Sequence, residues 1–214
     1  MKRKKTNQAP KKAMLIVTST EAESLFFSQM RKDCRYTNLT VQYAGGATDV
    51  DQVIAEAVKQ RISGKYDVVW AVIGFDAFPL TFAQLRGAIA KAEAKKVKLA
   101  WNYPSLPIWY LLHVQGPRLP ISDTTVIENS LKGIFPKFTA SAQYLLDAGN
   151  SLHLKLFPLK AQAAVNASAY NSLVERRFDG FGATNMVKLV SEISDVCGLA
   201  DVSHNQKLIG LKNS

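Results

Sequence analysis

The 214 residues carry 27 Lys and Arg against 17 Asp and Glu, a net charge of +10, with 47% hydrophobic residues. A chain of this size can bury a core without metal or disulfide staples. No apolar run reaches the roughly 18 residues of a membrane span, and the basic start lacks the apolar stretch of a signal peptide, so a cytoplasmic protein without a membrane partner is expected.

Residues 1–12 read as a disordered basic arm, with Lys2, Arg3, Lys4, Lys5, Lys11 and Lys12 holding six of the ten net charges (10 minus 6 leaves +4 for the rest). Such an arm can gather nucleic-acid phosphates by counterion release or serve as a solubilising leader, and charge alone does not choose between them. The apolar run 13–17 predicts a buried strand, followed by a turn at 18–20 and a helix over 21–33 capped by Ser19 or Thr20. Alternation over 39–44 predicts a second strand. Gly45 and Gly46 break it, a helix runs from Thr48 or Asp49 to about 63, and Gly64 ends that helix. Residues 67–73 are apolar on both faces, as a central strand of a parallel sheet would be. A helix over 81–94 and a strand over 97–101 complete the alternation.

Strand and helix alternating at this spacing predict βαβ units with right-handed crossovers. Past Pro104 the pattern is helical, at about 107–114, 123–133, 139–147, 158–177 and 184–196. The expected organisation is an α/β core over 13–104, a helical extension packed on it over 105–200, and a flexible tail over 201–214. Cys34 and Cys197 have neither a Cys-x-x-Cys partner nor a His at zinc-ligand spacing, and read as free thiols in a reducing compartment.

Ligands of open parallel sheets bind beyond the carboxyl ends of the strands. Glu21, Glu23, Asp49, Asp51 and Asp76 fall in or near those loops. Converging carboxylates there could hold Mg²⁺, although Glu21 and Asp49 also suit the first turns of helices on dipole grounds alone. Asp76 directly follows the buried strand. No phosphate-binding glycine loop and no nucleophile elbow occur. The aromatic stretch 101–113 is either core packing between a strand end and a helix or a base-stacking surface. His113 is either a packed core residue or a proton shuttle.

The succession resembles the RloB family, a TOPRIM-like group of bacterial restriction and abortive-infection loci. The family's opening turn, Cys-Glu-Gly-Glu-x-x-Thr-Glu, is similar to Thr18-Ser-Thr-Glu-Ala-Glu-Ser24. Its third-strand motif, Val-Trp-Cys-Val-Phe-Asp-x-Asp, is similar to Val69-Trp-Ala-Val-Ile-Gly-Phe-Asp76. The segment Asn102-Tyr-Pro-Ser-Leu-Pro-Ile-Trp-Tyr-Leu-Leu-His113, with Trp109 and His113, and the later Ala183-Thr-Asn-Met-Val-Lys-Leu-Val190, with Asn185, resemble two further family motifs. The resemblance implies a TOPRIM-like, mostly parallel sheet flanked by helices, with a C-terminal helical extension, and a metal site built on acids. Three of those acid positions fall on Ser19, Gly74 and Pro107. Asp76 is kept, and Glu21 occupies the second acidic position.

Three functions follow as expectations. One is a pseudo-nuclease subunit of a phage-defence system that binds nucleic acid or a partner ATPase and has lost most of its metal site. Another is an active Mg²⁺-dependent nuclease of DNA or tRNA, with a site rebuilt from Asp76, Glu21 and Glu23 or Asp49. The third is a nucleic-acid-binding module that uses the arm together with Arg31, Lys32, Arg35, Lys91, Lys95, Lys96 and Lys98.

Overall fold

The structure, a computed structural model, describes residues 11–147 and 151–202. Lys2, Arg3, Lys4 and Lys5 of the arm and most of the expected tail lie outside the described residues. Four strands, β1 (Met14–Thr18), β2 (Leu39–Tyr43), β3 (Val68–Gly74) and β4 (Lys98–Asn102), form one sheet in the order β2-β1-β3-β4. Every pairing is parallel. Helices α1 (Glu21–Asp33), α2 (Val50–Gly64) and α3 (Phe82–Ala94) connect them. This is an α/β fold.

Side chains alternate across a strand, so a sheet covered on both faces divides its residues between two cores. Leu15, Val17, Ala71, Ile73 and Leu99 enter a core closed by α2 and α3. Met14, Ile16, Trp70, Val72 and Ala100 enter the other, larger core. There α1 covers only part of the face. The rest is closed by the C-terminal helices, among them α4 (Pro107–Val114), α8 (Lys160–Val174) and α9 (Met186–Cys197). The sheet and these helices therefore share one hydrophobic core, and neither buries its apolar face without the other.

The C-terminal half is more broken than its periodicity predicts. The helices expected over 123–133 and 139–147 are α5 (Thr124–Lys132) and the short α6 (Ala142–Leu146). The helix expected over 158–177 is α8, preceded by a 3₁₀ turn over Phe157–Leu159 and by α7 (Leu152–Leu156), which periodicity does not predict. Pro158 has no N–H to donate to a helix ladder and fits a first turn, so helix formation restarts around it.

Strand β4 is an edge, and an edge leaves backbone groups unpaired. Here Asn185 completes it. Its Oδ1 accepts from the Trp101 N–H at 2.8 Å and its Nδ2 donates to the Leu99 carbonyl at 3.0 Å. Tyr103 N–H donates to the Ala183 carbonyl at 2.7 Å, and Asn102 bridges to Thr184. Asn185→Ala leaves two strand groups without these partners, and at about 1 kcal/mol per bond it is expected to lower unfolding free energy by about 2 kcal/mol in urea titration. A change within a few tenths would show that water replaces the amide.

Candidate carboxylate site at the carboxyl end of the sheet

The turn after β1 is organised by a capping box. The Thr20 hydroxyl accepts from the Glu23 N–H at 3.2 Å, and the Glu23 side chain reaches back. Its Oε2 accepts from the Ser19 N–H at 3.0 Å, the Ser19 hydroxyl at 2.8 Å and the Thr20 N–H at 2.9 Å. A Ser/Thr-x-x-Glu pattern satisfies orphan donors at a helix start in this way. One consequence is that the carboxylate of Glu23 lies on Ser19, where the family resemblance puts a missing acid. Glu21 is exposed in the same first turn.

The turn after β3 brings the second carboxylate. Asp76 N–H donates to the Pro104 carbonyl at 2.9 Å, which ties this turn to the end of β4. Its carboxyl folds back over Gly74. A Cβ on Gly74 would lie 2.2 Å from Asp76 Oδ1 and 3.5 Å from Glu23 Oε1. The empty side-chain space of Gly74, the second missing acid position, is thus where the two carboxylates meet. Pro107, the third such position, begins α4 and lines the same small cleft, about 30 Å³, with Thr20, Glu23, Asp76 and Tyr110. That volume suits one or two waters.

The electrostatics separate this pair from an ordinary cap. Glu23 is 2% exposed, and burial lifts its pKa from 4.5 to about 7. The bonds from Ser19 and Thr20 oppose the rise, and the charge of Asp76 adds to it. Asp76 reaches the surface, yet desolvation of its carboxyl raises its pKa too, against its own N–H and that of Ala77. Burial and the neighbouring Glu23 hold the Tyr110 phenol protonated, well above its ordinary value. Near pH 7 Glu23 is therefore about half protonated, and a divalent cation could replace that proton.

Gly74 controls this geometry. In Gly74→Ala the methyl group meets only the far end of the Asp76 side chain, so stability should fall by less than about 1 kcal/mol while the Asp76 carboxyl swings outward. The Glu23 pKa should then drop, because the like charge beside it has moved. Carboxyl chemical shifts followed through a pH titration would report this, and an unchanged Glu23 midpoint would sink it.

On its other side Asp76 borders an open groove of about 750 Å³ that also touches Thr81 and Asp123, the caps of α3 and α5. The N-termini of α3 and α5 open onto this groove already capped, α3 by the Thr81–Gln84 capping box and α5 by the Asp123 carboxylate.

The other acids and cations proposed from sequence lie elsewhere. Asp49 caps α2 by accepting from the Gln52 N–H at 2.8 Å, and Asp51 pairs with Lys91 at 2.7 Å. Lys11 and Lys12 precede β1, at the amino end of the sheet and away from the carboxylates. Arg31, Lys32, Arg35, Lys95, Lys96 and Lys98 are exposed at that same end, where Arg35 pairs with Asp201 and Lys98 with Glu192. Trp109 and His113 are buried, and the His113 Nδ1 donates to the Trp109 carbonyl at 2.8 Å. Among the described residues no group of three or more His, Cys, Asp or Glu side chains is arranged to hold a metal, and no helix is long and apolar enough to cross a membrane. The residues present fit one Mg²⁺ that keeps waters and takes a substrate oxygen. They do not fit an all-protein cage or a two-ion centre.

The chain is thus a parallel α/β protein with two carboxylates converging at the carboxyl ends of its first and third strands. Residues 14–193 match the RloB-like protein family, and the chain belongs to that family. Comparison with curated proteins and with solved structures finds no match.

Proposed function

We propose that this RloB-like chain is a TOPRIM-like, cytoplasmic protein of bacterial antiviral defence that acts on nucleic-acid phosphodiesters through one Mg²⁺ held by Glu23 and Asp76. The observation that carries this reading is the convergence of the two carboxylates over Gly74, one of them buried with its pKa near 7. Perturbed carboxyl pairs in clefts cluster at functional sites. Mg²⁺ is commonly held by one or two carboxylates, with water and substrate phosphate completing its shell. Bound there, it would polarise a phosphoryl oxygen and make an attacking water more acidic. The groove beside Asp76 would give a nucleic-acid strand a path. A partner ATPase and a role for the basic arm in nucleic-acid contact rest on the family resemblance and on charge.

A second reading has its own support. All three donors on Glu23 Oε2 belong to the helix cap, and positions 19, 74 and 107 supply no acid. That describes a retained scaffold which binds nucleic acid or its partner without cleaving.

Calorimetric titration of Mn²⁺ separates the two. The catalytic reading expects binding at pH 8 that weakens about tenfold per pH unit below 7, as the cation must displace the Glu23 proton, and that disappears in Glu23→Gln and Asp76→Asn. Mg²⁺-dependent cleavage of DNA or tRNA should vanish with it. Absence of binding at pH 8 would overturn the catalytic reading in favour of the scaffold.

A further inference from the structure

Away from the acid pair, at the C-terminal end of α1, a partly enclosed cavity of about 130 Å³ lies between α1, α4, α7 and α9. Its walls include Phe26, Met30, Trp109, Leu156 and Ile193. Its polar lining includes Tyr36, whose side chain bonds to Cys34, with Lys160 and Ser194, and a chain of three groups runs behind it. Asp33 Oδ2 accepts from the Ser151 hydroxyl at 2.6 Å and lies 3.0 Å from His153 Nδ1. His153 Nε2 in turn lies 3.9 Å from the Cys34 Sγ. Asp33, Cys34 and His153 are each at most 5% exposed.

This arrangement fixes the chemistry of the imidazole. A carboxylate only accepts, so Nδ1 carries the proton that bonds to Asp33, and in the neutral ring Nε2 is left as an acceptor. The thiol it faces is a weak donor at long range. A hydroxyl from a ligand would serve that nitrogen better. The walls are aromatic and sulfur-rich, which suits a ring packed edge-on or offset. An apolar cavity of ~150 Å³ takes up a molecule the size of benzene.

We propose that this cavity is a binding site for a neutral, single-ring hydroxyaromatic molecule of about the size of phenol, its ring against Phe26 and Trp109 and its hydroxyl donated to His153 Nε2. Neither the acid pair nor the function proposed for it is needed for this inference. The polar end is what distinguishes such a ligand from any apolar one. Toluene has the same ring and prefers an oily cavity more strongly than phenol does, so a preference for phenol can come only from the hydroxyl.

The test uses the full chain at pH 8, titrated with phenol and separately with toluene. Two readouts are followed: the thermal midpoint, and the rate at which iodoacetamide alkylates Cys34, measured by peptide mass spectrometry against an added thiol peptide as reference. Phenol should raise the midpoint saturably, slow Cys34 alkylation at least tenfold at saturation, and bind at least tenfold more tightly than toluene. Ile193→Phe, which fills the cavity, should abolish both effects. If that variant does not fold, the comparison on the unaltered protein still decides. No saturable response to phenol, or toluene binding as tightly as phenol, overturns the proposal. Mn²⁺ binding at Glu23 and Asp76 is unaffected by either result, so failure here and failure of the proposed function are read separately.

Discussion

Glu23→Gln is expected to make the protein more stable above pH 7, by about 3 kcal/mol, while removing cation binding. The size follows from a carboxyl whose pKa is 4.5 in the unfolded chain and about 7 in the folded one, at about 1.4 kcal/mol per unit. Between those values the folded state binds the extra proton. The stabilisation from protonated Glu23 is therefore complete below pH 4.5 and is lost as pH rises through 7. Glutamine is close in shape. Its amide oxygen can accept from the Ser19 and Thr20 N–H groups, the Ser19 hydroxyl can turn to another acceptor, and its NH₂ can face Asp76 as a donor. The cap is kept and the buried charge is gone. Urea midpoints from pH 4.5 to 8 would measure the difference. If variant and parent changed equally with pH, Glu23 would have to be an ordinary carboxyl. A residue that lowers stability when ionised, and that an isostere would relieve, is most simply kept for what the charge does.

How far this was legible in the sequence can be argued from the same residues. The strands and the first three helices follow from periodicity, because each alternates or repeats its apolar residues within its own short window. The sharing of one core between the sheet and α4, α8 and α9 is a long-range fact that no local window contains. Glu21 and Glu23 both lie in the first turn, and family position favours Glu21. The capping-box spacing from Thr20 to Glu23 carried the better signal, since it turns the N3 side chain back onto the strand end. The meeting with Asp76 over Gly74 was not readable, because it depends on a carboxyl folding back over a missing side chain. Gly64 gives a smaller case. It reads as a helix stop, yet Lys65 takes the left-handed position at φ 54°, and Gly64 is the last helical residue, where a Cβ would strike the Tyr66 ring at 2.3 Å.

The charge pattern also has a physical origin that composition hides. In a parallel α/β unit every connecting helix starts at the carboxyl end of the sheet and finishes at the amino end. Helix dipoles favour acids at the first end and bases at the second. Glu21 and Glu23 begin α1, whereas Arg31 and Lys32 close α1 and Arg61 closes α2; Lys91 of α3 instead reaches Asp51 of α2 at 2.7 Å. A net charge of +10 is therefore compatible with an acidic site, because the described cations of the sequence-stretch 11–98 gather mainly at the opposite end. A nucleic acid attracted by those cations would meet the protein on the side away from Asp76, so cleavage and basic contact call for a long or bent substrate.

His113→Asn is expected to uncover a pH dependence that the unaltered protein conceals. Burial lowers the His113 pKa from 6.5 to about 4, against its bond to the Trp109 carbonyl and aided by His153. Here the sign is opposite to that of Glu23. Below pH 6.5 the unfolded chain takes up a proton that the buried ring refuses, so stability is lost as pH falls from 6.5 towards 4, by about 3 kcal/mol in all. Between about pH 4.5 and 6.5 the gain from His113 with rising pH and the loss from Glu23 run against each other with similar size. The parent profile should be nearly flat there. Asparagine can place its Nδ2 near the ring Nδ1 and keep the bond to Trp109, and its smaller volume shifts stability by an amount independent of pH. The slope is therefore the readout. His113→Asn should lose about 3 kcal/mol from pH 4.5 to above 7, Glu23→Gln should gain a similar amount between 4 and 6.5, and the double variant should show neither change. A double variant that slopes as steeply as either single one would place the dominant titration on some other group and remove the basis for both predictions together.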